Sequence, residues 1–168
     1  LQKNHCTENE KTLLLTYGRM LVLYMSSFEE CQTNGFLINT YYKIVHRVLC
    51  DDNVFSSNGF FKSDPKKRLI EESIMVVSQN HTDPILRRNF TVFFEEIKWI
   101  QSFGIKSLRE YEDIERSGRK GTRISRVQRK FVWYVYQEYI KVRSEMGFKV
   151  DWDDAPITVE EILKKRRS

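Results

Sequence analysis

Two short apolar runs, each followed at once by residues at helical spacing, constrain this chain more than any other feature. "KTLLLTY", 11–17, is apolar and ends abruptly in polar residues, as a buried strand of a parallel sheet does. "GRMLVLYMSSFEECQ", 18–32, then brings Met20, Leu23, Tyr24, Ser27 and Phe28 round at helical intervals. Thr33-Asn34-Gly35 punctuates, "FLINTY", 36–41, reads as a second strand, and "YKIVHRVLC", 42–50, resumes a helical pattern. Strand–helix–strand–helix with short connections predicts a piece of an α/β layer. Two strands do not complete a sheet. The expected fold class is therefore mainly α with a small α/β part, two parallel strands of an incomplete sheet joined to a helical region.

After Asp51 no further strand is predicted. "DDNVFSSNGFFKSD", 51–64, is loop-like, and Asp64-Pro65 and Asp83-Pro84 each read as a helix start, an aspartate cap with proline in the first turn. The second start predicts one continuous helix carrying Leu86, Phe90, Phe93, Ile97 and Ile100 at alternating steps of four and three. A short helix is expected at about 106–115, and a long one from Ile124 to Met146. The long helix has the stripe Ile124, Val127, Phe131, Val135, Val142 and Met146, widened by Trp133, Tyr134, Tyr136 and Tyr139. Gly147 is expected to stop it, and "ITVEEILKK", 157–165, predicts one more helix. The expected divisions are 1–50, an α/β segment; 51–150, a helical subdomain; and 151–168, a return segment.

With 168 residues, 40% hydrophobic and 30% charged, the composition is that of a folded domain. No apolar run approaches the roughly 20 residues of a bilayer span, and the N-terminus lacks the apolar core of a signal peptide. The absence of an initiator methionine suggests a fragment. Cys6, Cys31 and Cys50 show no CxxC spacing, so neither a disulfide framework nor a zinc site is expected, and a cytoplasmic location fits. Asn80-His81-Thr82 and Asn89-Phe90-Thr91 are read as chance glycosylation triplets. His5, His46 and His81 are read as having no carboxylate or cysteine at ligand spacing, with His46 structural or on the surface.

The net charge of +5 permits a polyanionic partner without demanding one. Seven basic residues and no acidic ones fall between Arg116 and Lys130: Arg116, Arg119, Lys120, Arg123, Arg126, Arg129 and Lys130. They suit either a solvated loop or phosphate contact. "SGRKGT", 117–122, imitates a phosphate loop, but its lysine precedes Gly121, whereas a Walker A loop places lysine and a hydroxyl after the last glycine. In "FKVDWDDAP", 148–156, Asp151, Asp153 and Asp154 offer carboxylates to a magnesium ion, with Glu160-Glu161 as the nearest further pair. A turn whose aspartates cap backbone amides is the preferred role, since aspartate favours turns and helix starts. No metal ligand is assigned.

Taken in order, three segments resemble those of a UvrD/Rep-like superfamily 1 DNA helicase between its Walker A and Walker B motifs. "KTLLLTYGRMLVLYM", 11–25, is similar to the family's T-F-N-x-x-L strand and helix. "INTYYKIVHRVL", 38–49, is similar to its T-F-H-S segment. Residues 107–156 resemble its helical insertion, which ends near a D-[FWY]-D-D-L element. Gly18, Tyr42, Lys43 and Ala155 depart from those patterns. The resemblance implies an incomplete RecA-like sheet and a fragment of an ATP-dependent motor. In the intact protein ATP and magnesium are expected as cofactors, and neither is held by this chain, which is not catalytic alone. Single-stranded or partly duplex DNA and the rest of the motor are the implied partners, with no membrane. The implied DNA contacts are Thr16, Tyr17, Arg19, Thr40, Tyr41, Tyr42 and Lys43, joined by Arg119, Lys120 and Arg123 of the basic loop.

Overall fold

The structure, a computed structural model, describes residues 13–16, 37–54, 63–115 and 124–167. The expected helix at 18–32 and the loop at 116–123 lie outside the described residues. The chain is mainly helical and divides into two compact units, Leu1–Asp51 and Asp52–Ser168. Residues 151–167 group with the second unit.

In the first unit, β1 (Leu13–Thr16) and β2 (Leu37–Thr40) pair in parallel with Leu13 opposite Leu37 and Thr16 opposite Thr40. Helix α1 (Tyr41–Asp51) begins directly after β2. Tyr41 is thus the first residue of a helix and not the last of a strand, a correction to the expected strand 36–41. Val45, Val48 and Leu49 make the buried side of α1, at the intervals that place side chains on one helical face.

The second unit is built from five helices and a short 3-10 turn among the described residues. Helix α2 (Ser63–Asn80) buries Lys66, Leu69, Ile70, Ser73 and Val77, positions that share one face. The single helix expected after Asp83-Pro84 is instead two elements. Asp83 caps a 3-10 helix (Pro84–Arg87), its side chain accepting from the Ile85 amide, and the chain becomes extended at Arg88. Asn89 then caps α3 (Phe90–Ser102) by accepting from the amide and hydroxyl of Thr91. Two capping side chains six residues apart each favour a local start over a continuous helix. The Asn89-Phe90-Thr91 triplet is therefore spent on a helix cap.

Helix α3 ends at Gly104, whose φ of +63° lets the Ile105 amide reach back to the Ile100 carbonyl. Ser107 caps α4 (Leu108–Asp113). Helix α5 (Arg126–Glu145) starts with a reciprocal cap, Ser125 to the Gln128 amide and Gln128 back to Ser125. It stops at Gly147 (φ +84°), where the Phe148 amide bonds to the Arg143 carbonyl. Helix α6 (Ala155–Arg167) begins two residues before the expected start.

The core gathers Ile70, Ile85, Phe93, Ile97, Ile100, Tyr111, Val132, Val135 and Tyr139. Of the expected stripe on α5, Ile124 and Val135 are buried, Phe131 and Val142 pack against the core, and Val127 and Met146 do not. Val127 is 71% exposed and Met146 47% exposed, whereas Val132, Trp133, Val135, Tyr139 and Arg143 are buried. The large rings of Trp133 and Tyr139 decide which side faces inward, because they bury more apolar area than the valine and methionine they displace.

Candidate functional site

The sequence-derived candidates fall in three places. The parallel register sets Thr16 and Thr40 opposite each other at the C-terminal ends of their strands, and α1 opens at the next residue. Tyr41 is half-buried and Lys43 is exposed. Strand ends of this kind, with a helix N-terminus beside them, are where α/β layers take up anionic ligands. Tyr17, Arg19, Arg119, Lys120 and Arg123 lie outside the described residues, and of Tyr42 only its place in α1 is described.

One reading of the histidines is corrected. His46 and Cys50 stand four apart on α1, with Cys50 Sγ 3.5 Å from His46 Nδ1. That is ligand spacing on a helix, overlooked because the pair lies inside an otherwise apolar pattern.

The basic run divides by role. Arg129 Nη1 donates to the carbonyls of Tyr111 at 2.5 Å, Ile114 at 2.7 Å and Glu112 at 3.2 Å, closing the end of α4. Its guanidinium also lies 5.3 Å from the centre of the Tyr111 ring. Arg126 pairs with Asp113. These two cations join α4 to α5, while Lys130 remains exposed beside the rings of Phe131 and Tyr134.

The acidic turn is the most elaborate polar constellation among the described residues. Asp151 is fully buried. Its Oδ2 accepts from Tyr139 Oη at 2.5 Å, Gln101 Nε2 at 2.8 Å and Arg143 Nη1 at 2.9 Å, with Lys66 Nζ at 3.0 Å. Its Oδ1 accepts from the Asp153 amide, and Asp154 Oδ1 accepts from the Asp151 amide, each at 2.7 Å. Asp154 Oδ2 meets Arg143 Nη1 at 2.7 Å, and Asp153 Oδ2 meets Lys66 Nζ at 2.7 Å. Gln101 completes the set, its Oε1 accepting from Lys66 at 2.6 Å. Four segments distant in sequence are thus fastened at one point: α2, α3, α5 and the turn before α6.

Burial pushes the Asp151 carboxyl up, but the charges of Lys66 and Arg143, with hydrogen bonds from Tyr139 and Gln101, hold it down at about 2. Asp154 moves the other way, raised by burial and then by the charge of Asp151, against the pull of Arg143. Burial and the adjacent Asp151 push the Tyr139 hydroxyl up, so it stays a proton donor. Arg143 is lowered by burial and raised by Asp154, Tyr139 and Asp151, with a net rise.

These contacts decide what the turn can do. Asp151 Oδ2 already faces four donors, leaving poor access for a cation, and Glu160 and Glu161 are paired with Lys164 and Lys106. Among the described residues no group of three or more histidine, cysteine or carboxylate side chains is arranged to hold a metal ion.

Lys66, Gln101, Tyr139 and Arg143 were missed as partners of the turn. A signal was present: Lys66 precedes Leu69, Ile70 and Ser73 on one face, Gln101 follows Ile97 by four, and Arg143 follows Tyr139 by four. A polar residue at core spacing needs a buried partner.

No helix among the described residues is long and apolar enough to cross a membrane. No protein-family model, curated protein or solved structure matches the chain.

Proposed function

We propose that the chain is part of an ATP-dependent DNA helicase of the UvrD/Rep-like kind, contributing single-stranded DNA contacts and a helical insertion to the motor. In this reading β1 and β2 belong to a larger RecA-like sheet, and the residues that bind ATP and magnesium lie elsewhere in the motor. The observation that carries it is the register of Thr16 with Thr40, with α1 starting at Tyr41. That arrangement sets two hydroxyl-bearing residues, a helix N-terminus and an aromatic residue at one edge. Hydroxyls and amides suit phosphates, and an aromatic ring stacks on any base, so the contact would be indifferent to sequence. The order of the three resembling segments supports the same reading.

The test is fluorescence anisotropy of a labelled oligothymidylate titrated with the chain at a series of salt concentrations. Weak binding that falls steeply with salt is expected. Absence of binding at low salt removes the DNA-contact role.

A further inference from the structure

Of the three cysteines, Cys50 is the one among the described residues, and it is exposed in the last turn of α1. His46 stands one helical turn before it, so the two side chains share one side of the helix. Cys50 Sγ lies 3.5 Å from His46 Nδ1. The imidazole is half-buried, at the border between the apolar side of α1 (Val45, Val48 and Leu49) and its solvent side. Neither residue takes part in the strand-end contact proposed above.

We infer that His46 and Cys50 form a two-ligand site for a thiophilic metal ion of the zinc class, whose remaining positions are open to water. The inference goes beyond the DNA-contact reading and does not depend on it. A tetrahedral zinc ion sits about 2.3 Å from a thiolate and about 2.0–2.1 Å from an imidazole nitrogen, which sets those two atoms about 3.5 Å apart. The hydrogen bond of the pair therefore already holds sulfur and nitrogen at the span that such an ion requires. The metal takes the place of the proton the pair shares. That proton leaves to solvent, and lone pairs on the sulfur and on Nδ1 become bonds to the ion. Only Nδ1 is asked of the histidine, so contacts of the rest of its ring are left as they are.

The end of the helix favours a cation. Its last carbonyls carry partial negative charge, its last turn holds no basic residue, and Asp51 adjoins Cys50. Arg47 opposes the ion from the preceding turn, but it is exposed and its charge is screened. Thiolate with imidazole selects zinc over magnesium or calcium, which prefer oxygen ligands. No third histidine, cysteine or carboxylate is grouped with the pair among the described residues, so the bound ion is open and exchangeable.

The experiment reads Cys50 through its alkylation, since the thiolate is the nucleophile and a metal-bound sulfur is shielded. The reduced chain is treated with iodoacetamide alone, with zinc, with magnesium, and with zinc followed by EDTA. Each cysteine is followed by peptide mass, which scores Cys6 and Cys31 separately. Zinc is expected to suppress alkylation of Cys50, EDTA to restore it, and magnesium to leave it unchanged. Outer-shell partners alone are worth about 10–100-fold in metal affinity, so His46→Asn should require at least about tenfold more zinc for the same protection. Circular dichroism establishes that this variant is folded. Cys50 alkylated equally fast with and without zinc overturns the site, and so does equal protection by magnesium. Full protection of folded His46→Asn at the zinc concentration that protects the parent also overturns it, because the sulfur then acts without the imidazole. Oligothymidylate binding is measured apart from all of these, so the DNA-contact reading stands or falls separately.

Discussion

The two polar regions of this molecule use their charges in opposite directions. Around Asp151, two cations and three carboxylates turn toward one another, and Lys66, Arg143 and Asp151 are almost wholly enclosed. On α1, Lys43, Arg47 and Asp51 point to solvent while the apolar side of the helix is buried. An enclosed charge is tied to the fold, because removing one partner strands the others without water. An exposed charge contributes little to stability. The acidic sequence "DWDD" thus marks a structural joint, and the charges of "KIVHR" lie outside any such enclosed cluster.

The largest effect follows from Asp151→Ala. It leaves Lys66 and Arg143 enclosed with less compensating charge and removes the buried acceptor that Tyr139 and Gln101 share. A loss of about 3–5 kcal/mol of unfolding free energy is expected, read by urea titration of the chain with circular dichroism. A loss under 1 kcal/mol means that water reaches the joint and that the contrast with α1 is false.

Acid titration sharpens the same contrast. The Asp151 carboxyl sits at about 2 in the folded chain against an ordinary 3.8, so the folded state binds its proton less readily than the unfolded one. Its contribution is complete above pH 4 and disappears as pH falls toward 2. Asp154 has the opposite sign, because its raised pKa makes the folded state the better proton acceptor. Acidification through the folded pKa of Asp154 therefore adds stability before the loss at Asp151 sets in. Urea midpoints measured across pH 2–7 should show that rise followed by a fall. A monotonic fall from neutral pH removes the assignment to Asp154.

Tyr139→Phe removes one donor from Asp151 Oδ2 and leaves three there. It is expected to cost about 1.5–3 kcal/mol, the range for a hydrogen bond to a charged acceptor, measured by the same urea titration. Ser125→Ala removes the reciprocal cap of α5 and should cost about 1 kcal/mol. Ser125→Asp restores most of it, which separates capping from any other role of the serine.

Much of the helical layout could be read from local signals, and the joint could not. Gly147 ends α5 as expected, and Asp83 caps a helical turn as its sequence context suggests. The break at Arg88 was hidden because Leu86 and Phe90 keep a helical interval across it, so periodicity alone does not see two capping side chains in succession. On α5 only Val127 and Met146 were misplaced, because valine and methionine were weighed equally with tryptophan and tyrosine. The partners of Asp151 come from positions 66, 101, 139 and 143, and no local pattern specifies which distant polar residue meets which. What the sequence does show is that Lys66, Gln101 and Arg143 occupy core positions. That predicts enclosure without naming the partner.

The smallest stability change is expected on α1, where it carries the most meaning. Lys43→Ala and Arg47→Ala replace exposed side chains on the side of the helix away from Val45, Val48 and Leu49. Substitutions of that kind alter unfolding free energy by no more than about 0.5 kcal/mol, and alanine favours the helix slightly. Both variants should therefore unfold at nearly the parent urea midpoint. If either is destabilised as much as Tyr139→Phe, that side chain is built into the first unit. The division between enclosed charges that hold the fold and exposed charges that do not would then fail at the position where it is easiest to test.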